Sequence, residues 1–220
     1  MSNSDSFIDE VTEEVRRDRL FALMRRYGWI VILAVVLLVA GAAWNEYRKA
    51  QARAAAEALG DSLLSAFRQT DPAARARALA EIGAEGDARA VVAMLRADAE
   101  AAAGNREGAA QMLLAIAGDE RIAPLYRDMA RLKRVILLGP GMDRDERIAA
   151  LRALARPGAP YRLLAEEQLA VIDMENGDTE AAIARLKDIE ADSETPTGMR
   201  QRARQTIIVL GGEPEEPEDR

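Results

Sequence analysis

The sequence predicts an all-α protein: one membrane-spanning helix near the N-terminus, then an array of antiparallel helical hairpins. Three observations carry this. Tyr27–Trp44 is an uncharged run of 18 residues with aromatic residues at both ends. From Ala50 onward apolar residues recur at helical spacing, and no period-two alternation is sustained. Similar hairpin sequences return at a fixed interval, as they do in repeat proteins.

Composition narrows the function classes. Hydrophobic residues make up 49% of the 220 and aromatics only 4%. A core rich in alanine favours closely packed helices, because Ala has the highest helix propensity and the smallest side chain. The net charge of −7 argues against nucleic acid, which needs a concentrated basic face. There is no cysteine and no histidine. Their absence removes thiol catalysis, disulfides, thiolate metal sites, a Cys-borne lipid anchor, the commonest general base and the commonest transition-metal ligand. No spacing of carboxylates or lysines suggests a catalytic cluster. The expectation is a non-enzymatic protein with no cofactor, no metal and no small-molecule substrate.

The first 26 residues precede the membrane. Phe7, Ile8, Val11 and Val15 share one helical stripe, with Asp9, Glu10, Glu13 and Glu14 elsewhere. Such a segment lies on a membrane or docks a cytoplasmic partner. It reads equally as a frayed helix that only delays entry into the bilayer.

The span itself is 27–47. Eighteen residues rise about 27 Å, close to the ~30 Å of bilayer hydrocarbon. Tyr27 and Trp29 mark one end and Trp44 and Tyr47 the other, as in an aromatic belt. Two alternatives stand beside an anchor. One is a buried core helix. The other is a cleaved signal, because Ala40 and Ala42 form an A-x-A pattern. The lead-in of six acids and five arginines is longer and more mixed in charge than a signal's basic start. Orientation follows the cations. Arg16, Arg17, Arg19, Arg25 and Arg26 precede the run, and Arg48, Lys49 and Arg53 follow it. Five against three favours a cytoplasmic N-terminus and a domain on the far side, periplasmic in a bacterium.

Residues 48–211 read as hairpins. A first one turns at "QTDP", with Asp71 as N-cap and Pro72 opening a helix. Further turns fall at Ala84–Asp87, Ala103–Glu107, Gly139–Asp145, Arg156–Pro160, Glu175–Asp178 and Ser193–Gly198. Val91–Ala117 and Leu164–Ile189 resemble each other, with Gly104 and Gly177 standing 73 residues apart in the same place. Leu125–Leu154 fits between them as a middle copy with a longer turn. Residues 212–220, "GEPEEPEDR", form a tail too acidic and too poor in apolar area to order itself.

A period near 34 with two helices per unit resembles the tetratricopeptide repeat. Leu169, Ala170, Gly177, Ala182 and Leu186 match its packing positions in one copy, and Ala97, Gly104, Ala109 and Leu113 in the other. Glu166 and Asp173 stand where the family has its Trp-like and Tyr-like residues. The resemblance implies a right-handed solenoid whose concave groove is lined by first helices. Extrapolated groove positions are Met94, Asp98, Glu167, Val171 and Met174.

The whole order, with "SFIDEVTEEVRRDRLFALMRRYGW" before the run and "NEYRKAQ" after it, resembles the alphaproteobacterial branch of the YfgM-like ancillary subunits of the Sec translocon. That resemblance implies a single-pass protein of the bacterial inner membrane with a periplasmic repeat domain. It also implies partners: the translocon, a membrane-anchored periplasmic chaperone of the prolyl-isomerase type and emerging secretory proteins, besides membrane lipid. The same architecture would serve a scaffold or assembly factor for another cell-envelope complex.

Overall fold

The computed structural model describes the backbone of residues 3–214 and the side chains of residues 25–214 other than Val31. It is all-helical, with no strand among the described residues. The chain divides into two units, Met1–Gly60 and Asp61–Arg220.

Helix α1 runs from Asn3 to Phe67. In the first unit every described side chain from Ile32 to Ala58 is exposed. Arg25–Phe67 contains the stretch long and apolar enough to cross a membrane, and none of that stretch is buried. Its length matches the ~30 Å of bilayer hydrocarbon, and exposing ~20 apolar residues to water is unfavourable.

Among the described residues the second unit holds the end of α1 and eight further α-helices. They are α2 (Pro72–Ala80), α3 (Gly86–Ala102), α4 (Arg106–Gly118), α5 (Pro124–Leu138), α6 (Arg144–Leu154), α7 (Arg162–Glu175), α8 (Thr179–Ala191) and α9 (Thr197–Val209). A short 3₁₀ turn, Gly139–Gly141, separates α5 from α6 and makes the middle turn the longer one. Helices from α2 onward pack chiefly on their neighbours in the chain, with α3 also meeting α5.

Each second helix of a hairpin starts the same way. Asp71 accepts from the Ala74 N–H at 2.9 Å. Asn105, Asp143 and Asp178 accept from Gly108, Glu146 and Ala181 at 3.0, 3.0 and 3.1 Å. These short polar side chains satisfy a helix N–H that has no partner within the helix. Three first helices also end alike. Gly104, Gly177 and Gly211 have φ of +94°, +77° and +82°. The next N–H reaches back to Glu100, Asp173 and Ile207 in turn, at 2.9 Å each. This is the Schellman ending, where glycine avoids the penalty of left-handed backbone.

The core is built in sections. Ala66 of α1, Ala76 and Leu79 of α2 and Ala99 of α3 form the first. Met94 and Ala97 of α3, Ala109 and Leu113 of α4 and Ala130 of α5 belong to the second. Leu132 of α5, Leu151 and Leu154 of α6 and Leu169 of α7 belong to the third. Ala170 of α7, Leu186 and Ile189 of α8 and Ile207 of α9 belong to the fourth. Thus α3, α5 and α7 each serve two sections from different faces. One break has no counterpart among the turns expected from the sequence, the turn Asp119–Ala123 between α4 and α5. Gly118 and Pro124 on either side of it are its punctuation.

Candidate protein-interaction face

The candidate face is built from the first helices α3, α5, α7 and α9. Three of them share the Schellman ending, and α5 ends directly at Gly139. Three positions before the closing glycine stand Ala101, Ile136, Met174 and Ile208. Ile136 is 52% exposed and Ile208 57%, and Met174 is half-buried. Exposed or half-buried apolar residues therefore lie near the C-terminal ends of α5, α7 and α9. Ile136 and Ile208 are not among the groove positions extrapolated from the sequence. Their distance from Gly139 and Gly211 was the available signal.

The five extrapolated groove residues divide. Met94 is 4% exposed and belongs to the second core section, so its place in an open groove is corrected. Partly buried Met129 of α5 packs against that section and takes part in the cover. Asp98 is exposed, and its carboxylate binds Lys133 of α5 at 2.8 Å. Glu167 of α7 holds both arms of Arg202 of α9 at 3.0 Å. Both acids thus tie one first helix to the next and do not stand open. Val171 and Met174 remain half-buried on α7.

Ala97, Ala109, Leu113, Leu169, Ala170, Ala182 and Leu186 are all buried, and Gly104 and Gly177 close their helices. Glu166 and Asp173 of α7 share one partner. Arg185 of α8 reaches Glu166 at 2.5 Å and Asp173 at 3.0 Å. An ionic clamp joins α7 to α8. In the middle copy, the slot that holds Ala109 and Ala182 elsewhere is Arg147, which is buried and bound to Glu175 at 2.5 Å.

The 73-residue interval also recurs in side-chain contacts. Arg89 binds Asp119 at 2.5 Å, and Arg162 binds Asp192 at 2.8 Å. Each Asp accepts a backbone N–H two residues on, from Arg121 at 3.1 Å and Glu194 at 2.8 Å. The Arg121 guanidinium and backbone N–H hold Asp119 well below the usual carboxylate range. The Glu194 N–H, then the Arg162 guanidinium, lower Asp192 in the same way. Hydrogen bonds to the charged form are the cause in both.

In the first unit Tyr27, Trp29, Trp44 and Tyr47 are exposed at 47–65%. The Trp44 and Tyr47 rings lie 6.2 Å apart, and Tyr47 Oη accepts from Gln51 at 3.0 Å. The Arg26 guanidinium sits 5.8 Å from the Tyr27 ring centre. Arg25 is exposed beside it. The side chains of Arg16, Arg17 and Arg19 lie outside the described residues, and so does the end of the acidic tail, residues 215–220. No protein family, no curated protein and no solved structure matches the chain.

Proposed function

We propose that the chain is a single-pass membrane protein whose hairpin domain binds other proteins, with no catalytic role. The observation that carries this reading is the uncharged, aromatic-ended stretch of α1, bare of protein contacts, followed by four core sections linked through shared first helices. Such linkage is what a stack of hairpins produces, and stacks of this kind present long faces to partners. The apolar positions Ile136, Met174 and Ile208 support the first-helix face as that surface, within a right-handed tetratricopeptide-like solenoid.

The excess of arginine before Tyr27 supports a cytoplasmic N-terminus and a periplasmic domain at a bacterial inner membrane. The resemblance of the membrane junction and element order supports an ancillary role at the Sec translocon, linking it to periplasmic chaperones and emerging secretory proteins. A tether would confine the domain to the membrane surface and raise its effective concentration toward such partners.

Two measurements test this. A reporter active only in the periplasm, fused after Gly211, should be active, and the extracted protein should have the mass of the uncleaved chain. Photo-crosslinkers at Val171 and Met174 should capture translocon, chaperone or secretory chains. Capture of a different envelope complex would make the protein a scaffold of that complex instead.

A further inference from the structure

The outer face of α4 differs from those of the other second helices. From Gly108 to Gly118 it carries no charge, and its exposed positions there are Gln111, Leu114, Ala115 and Gly118. Over the same range the exposed positions of α6 include Glu146 and Arg152, and those of α8 include Asp188, whereas the first turn carries charge in all three helices, Arg106 and Glu107 on α4 included. A single exposed leucine needs no explanation. On α4, however, a hollow lies on each side of the uncharged strip.

One hollow, of about 290 Å³, lies between α3 and α4 and is lined by Arg89, Arg96, Met112 and Ala115 among others. The second, of about 370 Å³, lies between α4, α5 and α6, with Leu114, Ala117, Arg131 and Arg134 in its wall. The internal repeat explains why both are open. Seventy-three residues after Ala93 and Met112 stand Glu166 and Arg185, whose ion pair occupies the corresponding place. Seventy-three residues after Ala117 stands Glu190, whose buried carboxylate binds Arg204 at 2.7 Å. Arg204 is the counterpart of Arg131. The first copy keeps the guanidinium and lacks that carboxylate, so Arg131 turns to the Ala117 carbonyl at 3.1 Å and to Asp128 on its own helix.

Relative exposure sets the sign of the surface. Arg89, Arg96 and Arg131 are 48%, 38% and 42% exposed, and their partners Asp119, Glu100 and Asp128 only 17%, 21% and 21%. In these three pairs the guanidinium is the more exposed partner, while Arg134 in the second hollow is the reverse, with Glu146 outermost. Guanidinium donors beside an apolar strip complement a carboxylate-bearing amphipathic helix, the mode in which one helix lays its apolar stripe on another surface.

We propose that the outer face of α4 docks an acidic amphipathic helix of a partner protein. Its apolar side chains cover Leu114 and Ala115, and its carboxylates meet Arg96 and Arg131, supplying from outside what Glu190 supplies to Arg204. This names a partner chemistry for the binding module proposed above, on a face other than the first-helix row.

The test uses the full chain in neutral detergent and a fluorescein-labelled helical peptide of Leu, Ala and Glu with Glu along one side. Anisotropy should report saturable binding that weakens at least about tenfold as salt rises through the range that screens surface charge. Leu114→Asp should weaken it about tenfold or more with an unchanged thermal melt, since the side chain is exposed. Arg131→Gln should do the same, and the peptide with Gln in place of Glu should not bind. Equal binding of the Gln peptide, or no effect of Leu114→Asp, overturns the proposal. So does a loss caused by Val171→Asp instead, which would seat the peptide on the first-helix face. A short-chain anionic lipid that binds where the peptide does not would assign the arginines to a headgroup and likewise overturn it. Failure here leaves the crosslinking result from Val171 and Met174 to decide the anchored binding module separately.

Discussion

Arg185 stands between Glu166 and Asp173, and its loss would leave two carboxylates facing one half-buried space. The cost of such a break is mainly the charge left unpaired, not the attraction lost. Arg185→Met is therefore expected to destabilise the domain by about 1–2 kcal/mol in urea unfolding. Adding Glu166→Ala recreates the Ala93 and Met112 arrangement of the earlier copy and should recover about half of that loss. Equal losses in the single and double variants would show that the clamp has no electrostatic cost when broken. Asp119 and Asp192 make a second residue-level prediction. Both have folded-state pKa values depressed below the ordinary carboxylate value. A depressed carboxylate adds stability above its unfolded pKa and loses it as pH falls through the folded value. The domain should lose melting temperature below about pH 4, and the Asp119→Asn, Asp192→Asn double variant should show a flatter profile there. Unchanged slope in the variant would remove these two groups as the cause.

At the scale of elements, the hairpins depend on their endings as much as on their cores. Gly177 closes α7 at φ +77° and lets the Asp178 N–H reach Asp173. Gly177→Ala should cost about 1 kcal/mol by chemical denaturation, since a Cβ disfavours that backbone. Gly198, at ordinary φ in the first turn of α9, serves as the control and should tolerate alanine with little change. These endings explain what could be read from the sequence. Helix starts at Asp71, Asn105, Asp143 and Asp178 carry local chemistry, so their hairpins are visible one residue at a time. Turns marked by Gly or Pro are visible for the same reason. The turn Asp119–Ala123 has its Gly118 and Pro124 outside it, and within it the fold comes from the Asp119 side chain accepting from the Arg121 N–H. Burial of Met94 was illegible for a different reason. A methionine on a helix stripe fits a groove or a core equally well, and only the position of α5 decides it. The partners of Asp98 and Glu167 lie 35 residues away in each case. A contact at that range depends on how successive helices stack, which periodicity alone does not fix.

For the whole molecule, the division of labour between the two units has a direct consequence. The buried hydrophobic residues of all four core sections lie at Ala66 or beyond, and the first partly buried one packed on them is Leu63. None of the described residues from Ile32 to Ala58 belongs to those sections. Residues 61–214 expressed alone should then fold without detergent, with the circular dichroism of a helical domain and a melting temperature within a few degrees of the full chain's. The full chain should need detergent for extraction, because the apolar stretch of α1 has no protein cover. Shared helices make a second feature of the fragment testable. Since α5 and α7 each join two core sections, damage to one section should pass to its neighbours and fade with distance, as in other nearest-neighbour arrays. Leu151 is fully buried in the third section, and Leu151→Ala should cost about 3 kcal/mol. Hydrogen exchange of this variant should speed up most in α5, α6 and α7 and least in α2, at the far end of the chain of sections. Uniform acceleration in every helix would mean that the domain unfolds as one block, and the sectional account of its stability would fail.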